Sequence, residues 1–111
     1  MQKSICARVG SEHFPALEIL KIGISADLLN HSWKYPLNGL RVRPERDTTG
    51  WFIWSGSDEL SQEDDYFKPL HIEHLQDYCP EIIPYLGLEP GWRFLLAPNY
   101  DDIWFDEKLL K

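Results

Sequence analysis

Residues 51–54 form a block of four large apolar side chains, Trp-Phe-Ile-Trp, between two glycines. The block is short, aromatic and β-branched, and glycines weaken helices, so the pattern favours a strand over a helix. Alternate residues of a strand point to opposite faces, so Trp51 and Ile53 are expected on one face and Phe52 and Trp54 on the other. Because both sets are apolar, both faces need cover, and the block predicts the central strand of a small sheet.

The N-terminal third has a less regular pattern. Residues 4–9 alternate polar and apolar side chains and predict an edge-type strand. Residues 15–22 are interpreted as a short helix opened by proline, and a strand over residues 20–24 is the competing interpretation. Ser25 is of a type favoured at helix N-caps and predicts a helical turn over residues 26–29.

Residues 30–50 are rich in turn-forming side chains, so few of them are expected in regular structure. The densest positive charge of the chain lies here, at Arg41, Arg43 and Arg46. A loop of this length in a compact domain is usually functional or held in place by its own aromatic residues, such as Trp33.

Two short helices are predicted in the second half of the chain. Apolar or aromatic residues in the segment 70–78 recur close to helical spacing, and Pro80 ends this segment. Pro80 also suits the first position of a second short helix, which covers residues 81–86.

The last third predicts two more strands, at residues 92–96 and 102–105, with a turn between them. The first of these is expected to pair beside the central strand. Together the elements predict an α+β fold, with a small, mostly antiparallel sheet and short helices packed on it. Four aromatic residues are expected to pack together as its core: Trp51, Trp54, Trp92 and Phe94.

The composition predicts a single domain over residues 1–111, because 43% of the side chains are apolar and the length is typical of one domain. The chain has no apolar run long enough to cross a bilayer and no apolar N-terminal segment of the secretory type. Its two cysteines, Cys6 and Cys79, are expected to be reduced and buried. These features predict a cytoplasmic protein that does not insert into membranes.

The net charge is −7 and the isoelectric point is near 4.9. A nucleic-acid ligand is not expected, since proteins that bind phosphates need a basic face. An acidic protein is suited to a basic protein partner, which it captures quickly and in a salt-dependent way. Solubility is the alternative explanation of the charge.

Residues 57–65 carry five carboxylates and no basic side chain, which predicts a solvated loop. Tryptophan and tyrosine are frequent at the centres of protein interfaces, and exposed carboxylates attract basic surfaces. The expected partner-binding residues combine the two kinds: Trp33, Asp58, Glu59, Asp64, Asp65 and Tyr66. A recognition role for the tryptophans of the central strand is the alternative to burial in the core.

Candidate catalytic chemistry is sparse in this sequence. His71, His74 and Cys79 are close in sequence. They offer the alternative interpretation of the chain as a small metal-binding or enzymatic domain that uses these three side chains. Zinc sites need a recognised ligand spacing that is missing here, so neither a metal nor any other cofactor is expected. The glycine-rich and nucleophile motifs of common enzyme classes do not occur, and a non-enzymatic protein is predicted.

Four segments carry a resemblance to a known family: residues 33–41, 50–56, 79–86 and 90–94. They resemble the thirty-third immunity-protein family of bacterial polymorphic toxin systems. The resemblance implies an α+β immunity protein that binds and neutralises a cognate toxin domain, and it implies no catalytic residues. A general interaction module without a toxin is the remaining alternative.

Overall fold

The computed structural model describes residues 2–17, 19–56 and 67–111. Within these residues the six strands are β1 (Lys21–Ser25), β2 (Leu37–Arg41), β3 (Thr48–Ser55), β4 (Phe67–His71), β5 (Trp92–Ala97) and β6 (Tyr100–Phe105). The α-helices are α1 (Gln2–Val9) and α2 (Ala26–Leu29), and three 3₁₀ helices cover Ile72–Asp77, Pro80–Tyr85 and Glu107–Leu110.

All six strands belong to one sheet, in the order β4-β1-β3-β2-β5-β6. The pair β1 and β3 is parallel, and the other four pairs are antiparallel. The prediction of an α+β fold with a mostly antiparallel sheet and short helices is therefore confirmed. The predicted central strand is β3, which lies between β1 and β2.

The N-terminal strand prediction is wrong, because residues 4–9 belong to helix α1. Ile5, Cys6 and Val9 follow helical spacing, and all three pack against the core. The helix predicted over residues 15–22 is also wrong, and the competing strand is confirmed as β1. The predicted helical turn over residues 26–29 is confirmed as α2.

The segment 30–50 contains more regular structure than its turn-forming residues predict. Strand β2 runs through the middle of it, between β3 and β5, so β5 pairs with β2 and β6 and not with β3. Gly39 permits this arrangement, since a Cβ atom there would overlap the ring of Phe94. Glycine is typical of turns, but Gly39 lies within a strand. The absence of a side chain there lets the Phe94 ring of the neighbouring strand approach closely.

Both helices predicted in the second half are present, as the 3₁₀ helices Ile72–Asp77 and Pro80–Tyr85. The first begins later than predicted because residues 67–71 form the edge strand β4. Short 3₁₀ turns fit these segments, since Pro84 removes a backbone donor from the second one. The predicted strand 102–105 is confirmed as part of β6.

The four core aromatic residues do not form the single group that the sequence predicts. Trp51 and Phe94, each 1% exposed, contact one another with ring centroids 5.5 Å apart. The half-buried Trp92 packs against the same core and beside Phe105, whereas the buried Trp54 lies on the opposite face of β3. The reason is the alternation of β3, which separates Trp51 from Trp54.

Arg41 is 1% exposed and has no carboxylate partner among the described ion pairs. Its guanidinium lies between the rings of Phe14 and Trp51, 4.8 and 5.4 Å from their centroids. It donates four hydrogen bonds of 2.6 to 3.2 Å to backbone carbonyls, at Phe14, Thr49, Leu86 and Leu88. Burial lowers the pKa of Arg41 to about 10, so the side chain stays charged at neutral pH. The Arg41 side chain thus links three parts of the protein: residues 11–17, strand β3 and the segment that follows the second 3₁₀ helix.

The helices of the described ranges are α1, α2 and the three 3₁₀ helices. None of them is long and apolar enough to cross a membrane.

A candidate protein-binding surface at the β5–β6 hairpin

A two-residue turn, Pro98-Asn99, joins β5 to β6. Asn99 has a positive φ of 58°, and proline followed by a residue with positive φ suits the centre of a type II turn. The turn brings β6 back along β5 with Tyr100 opposite Ala97. Tyr100 is 58% exposed, so the turn presents a large aromatic side chain to solvent.

A cavity of about 470 Å³ opens beside this hairpin, between α1, the second 3₁₀ helix and the start of β6. Three tyrosines line it, together with charged side chains of both signs. The members used below are Arg8, Tyr35, Tyr85, Tyr100 and Asp101. This combination of aromatic rings and hydrogen-bonding groups is typical of surfaces that bind other proteins.

Asp101 is the centre of the polar contacts in the cavity. Its Oδ2 atom accepts hydrogen bonds from Nη2 of Arg8 and from the hydroxyl of Tyr85, both at 2.7 Å. These two donors, Arg8 first, lower the pKa of Asp101 below its ordinary value. Burial and the neighbouring carboxylate raise the pKa of Tyr85 to about 12, so its hydroxyl stays protonated and donates. The network fixes the hairpin against α1 and the second 3₁₀ helix.

Replacing Asp101 by asparagine is expected to reduce the free energy of unfolding at pH 7 by about 1 kcal/mol, the usual value of a hydrogen bond to a charged group that is partly exposed. The folded-state pKa of Asp101 is lowered, so its stabilisation is present above the ordinary pKa of 3.8 and is lost as the pH falls through the lowered value. Denaturant unfolding at pH 7 and at about pH 3 measures both effects.

The control for this variant is Asp102→Asn, since Asp102 is exposed and has no ion-pair partner among the described residues. Loss of the Asp102 carboxylate should leave the free energy of unfolding almost unchanged at both pH values. A wild-type advantage over Asp101→Asn that stays constant down to pH 3 would contradict the role of the carboxylate.

Trp33, a predicted partner-binding residue, lies next to this surface. It is partly buried against the core, and its ring meets the ring of Tyr35 edge to face at 5.1 Å. Tyr35 is 42% exposed and lines the cavity. Trp33 therefore supports an exposed aromatic residue. The other predicted partner-binding residues, Asp58, Glu59, Asp64, Asp65 and Tyr66, lie outside the described residues.

The basic cluster of the sequence is divided by the fold. Arg41 is buried, whereas Arg43 and Arg46 are exposed. Arg43 lines a second groove of about 380 Å³, whose rim also carries Lys21 and Lys68. Lys21 is paired with Asp47 there at 2.9 Å.

The structure does not support the alternative of a metal site at His71, His74 and Cys79. Across the described ranges no three His, Cys, Asp or Glu side chains are grouped as a metal ion requires. His71 instead places Nδ1 2.9 Å from the carbonyl oxygen of Ile19, and Cys79 is buried. Burial raises the pKa of Cys79 to about 12, so the thiol is protonated and a poor ligand or nucleophile.

Sequence reasoning missed most of the hairpin surface. Arg8, Tyr35, Tyr85 and Asp101 are far apart in the chain, and their contacts follow from the sheet order. The sequence offers one local signal, the Pro98-Asn99 turn followed by an aromatic residue, which predicts that Tyr100 stands at a hairpin end.

The chain matches a family of known proteins. A family model described as the Imm33-like domain matches residues 1–106. The match includes α1 and β1, which lie before the first of the four segments that carry the resemblance. No curated protein and no solved structure matches the chain.

Proposed function

The chain belongs to the Imm33-like domain family, and on this premise we propose that it is an immunity protein that binds and neutralises a cognate bacterial toxin domain. The observation that carries the proposal is the family match over almost the whole domain. The protein acts by binding and not by catalysis, within a polymorphic toxin system and in the cytoplasm of the cell that makes the toxin.

The hairpin surface supports a protein partner. Tyr35 and Tyr100 are exposed beside a cavity, and Trp33 holds the first of them in place. Aromatic residues of this kind contribute a large contact area at a low cost in conformational entropy, which is why they dominate interface energies. In this proposal the aromatic residues set how long the complex lasts.

The charge of the protein supports a partner with a basic surface. The net charge is −7, and five of the carboxylates lie between residues 58 and 65. Exposed carboxylates act over about a Debye length, roughly 8 Å at physiological salt, and each contributes little after docking. The acidic segment therefore accelerates the encounter with the toxin domain.

The proposed function implies a toxin domain encoded beside this gene, and the test uses that domain. Co-expression is expected to give a stable complex and to restore growth to cells that make the toxin. Neutralising Asp58, Glu59, Asp64 and Asp65 together is expected to slow association about tenfold at low salt and to change dissociation little, because in this proposal the four carboxylates act mainly on encounter. Surface plasmon resonance at two salt concentrations measures both rates.

A matched control neutralises four exposed carboxylates elsewhere, with the same change in net charge: Glu12, Glu45, Glu73 and Asp77. This control should slow association far less. Failure to form a complex and to restore growth would overturn the immunity function. A complex whose association rate responds neither to salt nor to the four neutralisations would overturn the steering role alone.

A further inference from the structure

The two edges of the sheet differ in how they are protected against pairing with another strand. Natural edge strands avoid such pairing through charged side chains, lysine above all, and through proline, bulges or shortness. Strand β4, at one edge, has Lys68 and Pro69 in its centre. Strand β6, at the other edge, has neither residue type and keeps an unbroken register with β5 over six residues. Only β4 carries lysine and proline, whereas β6 carries the carboxylates of Asp101 and Asp102, which oppose another acidic strand but not a basic one.

The backbone of β6 leaves a regular row of groups facing outward. The amide of Asp106 donates to the carbonyl of Gly91 at 2.7 Å, which continues the β5–β6 register and fixes which residues bond to β5. Alternate residues of an antiparallel strand bond to the same neighbour. Because Asp106 bonds toward β5, every second residue before it does so too. The backbone N–H and C=O groups of Asp101, Ile103 and Phe105 therefore face away from β5. Among the described residues, the sheet has no further strand on this side of β6 to receive them.

Exposed aromatic side chains flank this row on both faces of the sheet. Trp104 is 37% exposed and Phe105 is 49% exposed, and neighbouring residues of a strand point to opposite faces. A strand added along β6 would therefore place its own side chains against an aromatic ring on each face. This arrangement supports side-chain selectivity in addition to main-chain hydrogen bonds.

The negative charge of this edge favours a partner with positive charge. Four carboxylates lie between residues 101 and 107, and the first basic side chain after them is Lys108. Asp101 and Asp106 are paired with Arg8 and Arg93, whereas Asp102 and Glu107 have no ion pair among the described residues. A basic strand would supply the missing cations. A second copy of β6 would bring further carboxylates to the same edge, which is unfavourable between neighbouring strands.

We propose that β6 is a docking edge that takes a basic, extended segment of a partner protein as an added strand of the sheet. The proposal rests on the proposed function, because it assigns to the toxin complex a surface and a mode of binding. The hairpin cavity adjoins the start of the same strand, at Tyr100 and Asp101, so the edge and the aromatic surface form one continuous contact region.

The experiment measures amide hydrogen exchange of the whole protein by NMR. The first probe is a short synthetic peptide of alternating lysine and valine, and its control is a peptide of alternating glutamate and valine. The lysine peptide is expected to slow exchange at Asp101, Ile103 and Phe105, while Tyr100, Asp102 and Trp104 change little because they already bond to β5. The second probe is the candidate toxin domain, with the same alternating pattern expected.

A charge variant tests the selection of a basic strand. The double change Asp102→Lys and Glu107→Lys is expected to weaken binding of the lysine peptide about tenfold or more, because it reverses the two unpaired charges and places lysine on the edge. The matched control is Glu73→Lys with Asp77→Lys, which changes net charge equally but lies after β4, at the other edge. Circular dichroism checks that both variants are folded.

The outcomes separate this proposal from the proposed function. Unchanged exchange at the three outward amides with both probes would overturn the docking edge, even if the toxin domain is bound and neutralised. Protection by the lysine peptide without any toxin binding would support the edge and overturn the immunity function. Protection that appears without a probe, at rising protein concentration, would show self-pairing and overturn the basic partner.

Discussion

Replacing Arg41 by methionine is expected to lower the free energy of unfolding by about 3 to 5 kcal/mol, the range typical of breaking a buried hydrogen-bond network. Methionine fills much of the same volume but donates no hydrogen bond, so the carbonyls of Phe14, Thr49 and Leu88 lose this donor, while that of Leu86 keeps its bond from Trp51. Each unsatisfied buried group costs about 1 to 3 kcal/mol, which outweighs the desolvation that removing the charge recovers. Urea unfolding at pH 7 measures the difference.

Two variants make this prediction specific. Arg43→Met removes an exposed arginine just beyond the end of the same strand and should change stability by no more than about 0.5 kcal/mol. Arg41→Lys keeps the charge but loses the planar fork, so it should fall between wild type and Arg41→Met. A loss below about 1 kcal/mol for Arg41→Met would show that water replaces the guanidinium at low cost.

The strands that were predicted correctly from the sequence contain apolar runs whose composition fits a strand and no other element. Residues 51–54 and 92–96 are aromatic and β-branched or leucine-rich, and both lie within strands. Such runs are buried on at least one face in any compact arrangement of this chain. Local composition was therefore sufficient to place these two elements.

Strand β2 and helix α1 were missed because their local patterns are ambiguous. Asn38 and Gly39 resemble a turn, but the Asn38 side chain donates to the carbonyls of Trp54 and Gly56 across the pair of strands. In α1, the residues Ile5 and Val9 fit both an alternating and a helical period over so short a segment. Only the packing against distant parts of the chain decides between the two interpretations.

The candidate site was less predictable than the fold, since it is assembled from distant segments. Trp33 was identified from its residue type, and the structure places it beside Tyr35. The contact of Arg8 with Asp101 spans 93 residues of sequence, and no local pattern indicates it. The backbone groups of β6 face outward because β6 lies at the edge of the sheet. The order of the strands in the sheet is a property of the whole topology and not of any local pattern.

Replacing Trp51 by alanine is expected to lower the free energy of unfolding by about 3 to 5 kcal/mol, as for other large aromatic residues in closed cores. Trp51 is 1% exposed, and its indole N–H donates to the carbonyl of Leu86 at 3.0 Å. Its ring also contacts Phe94 and the guanidinium of Arg41. The variant therefore leaves a cavity and also removes an aromatic surface beside a buried charge. Thermal and urea unfolding measure the loss.

The matched comparison for Trp51 uses two other tryptophans of the sheet. Trp104→Ala should cost about 1 kcal/mol or less, because this ring is 37% exposed at the edge. Trp54 is 4% exposed, but its indole Nε1 has no hydrogen-bond partner in the described part of the chain. Phenylalanine should therefore be tolerated better at position 54 than at position 51, where it removes a hydrogen bond as well as volume. Equal losses for Trp51→Phe and Trp54→Phe would show that the bond to Leu86 adds nothing to the packing of Trp51.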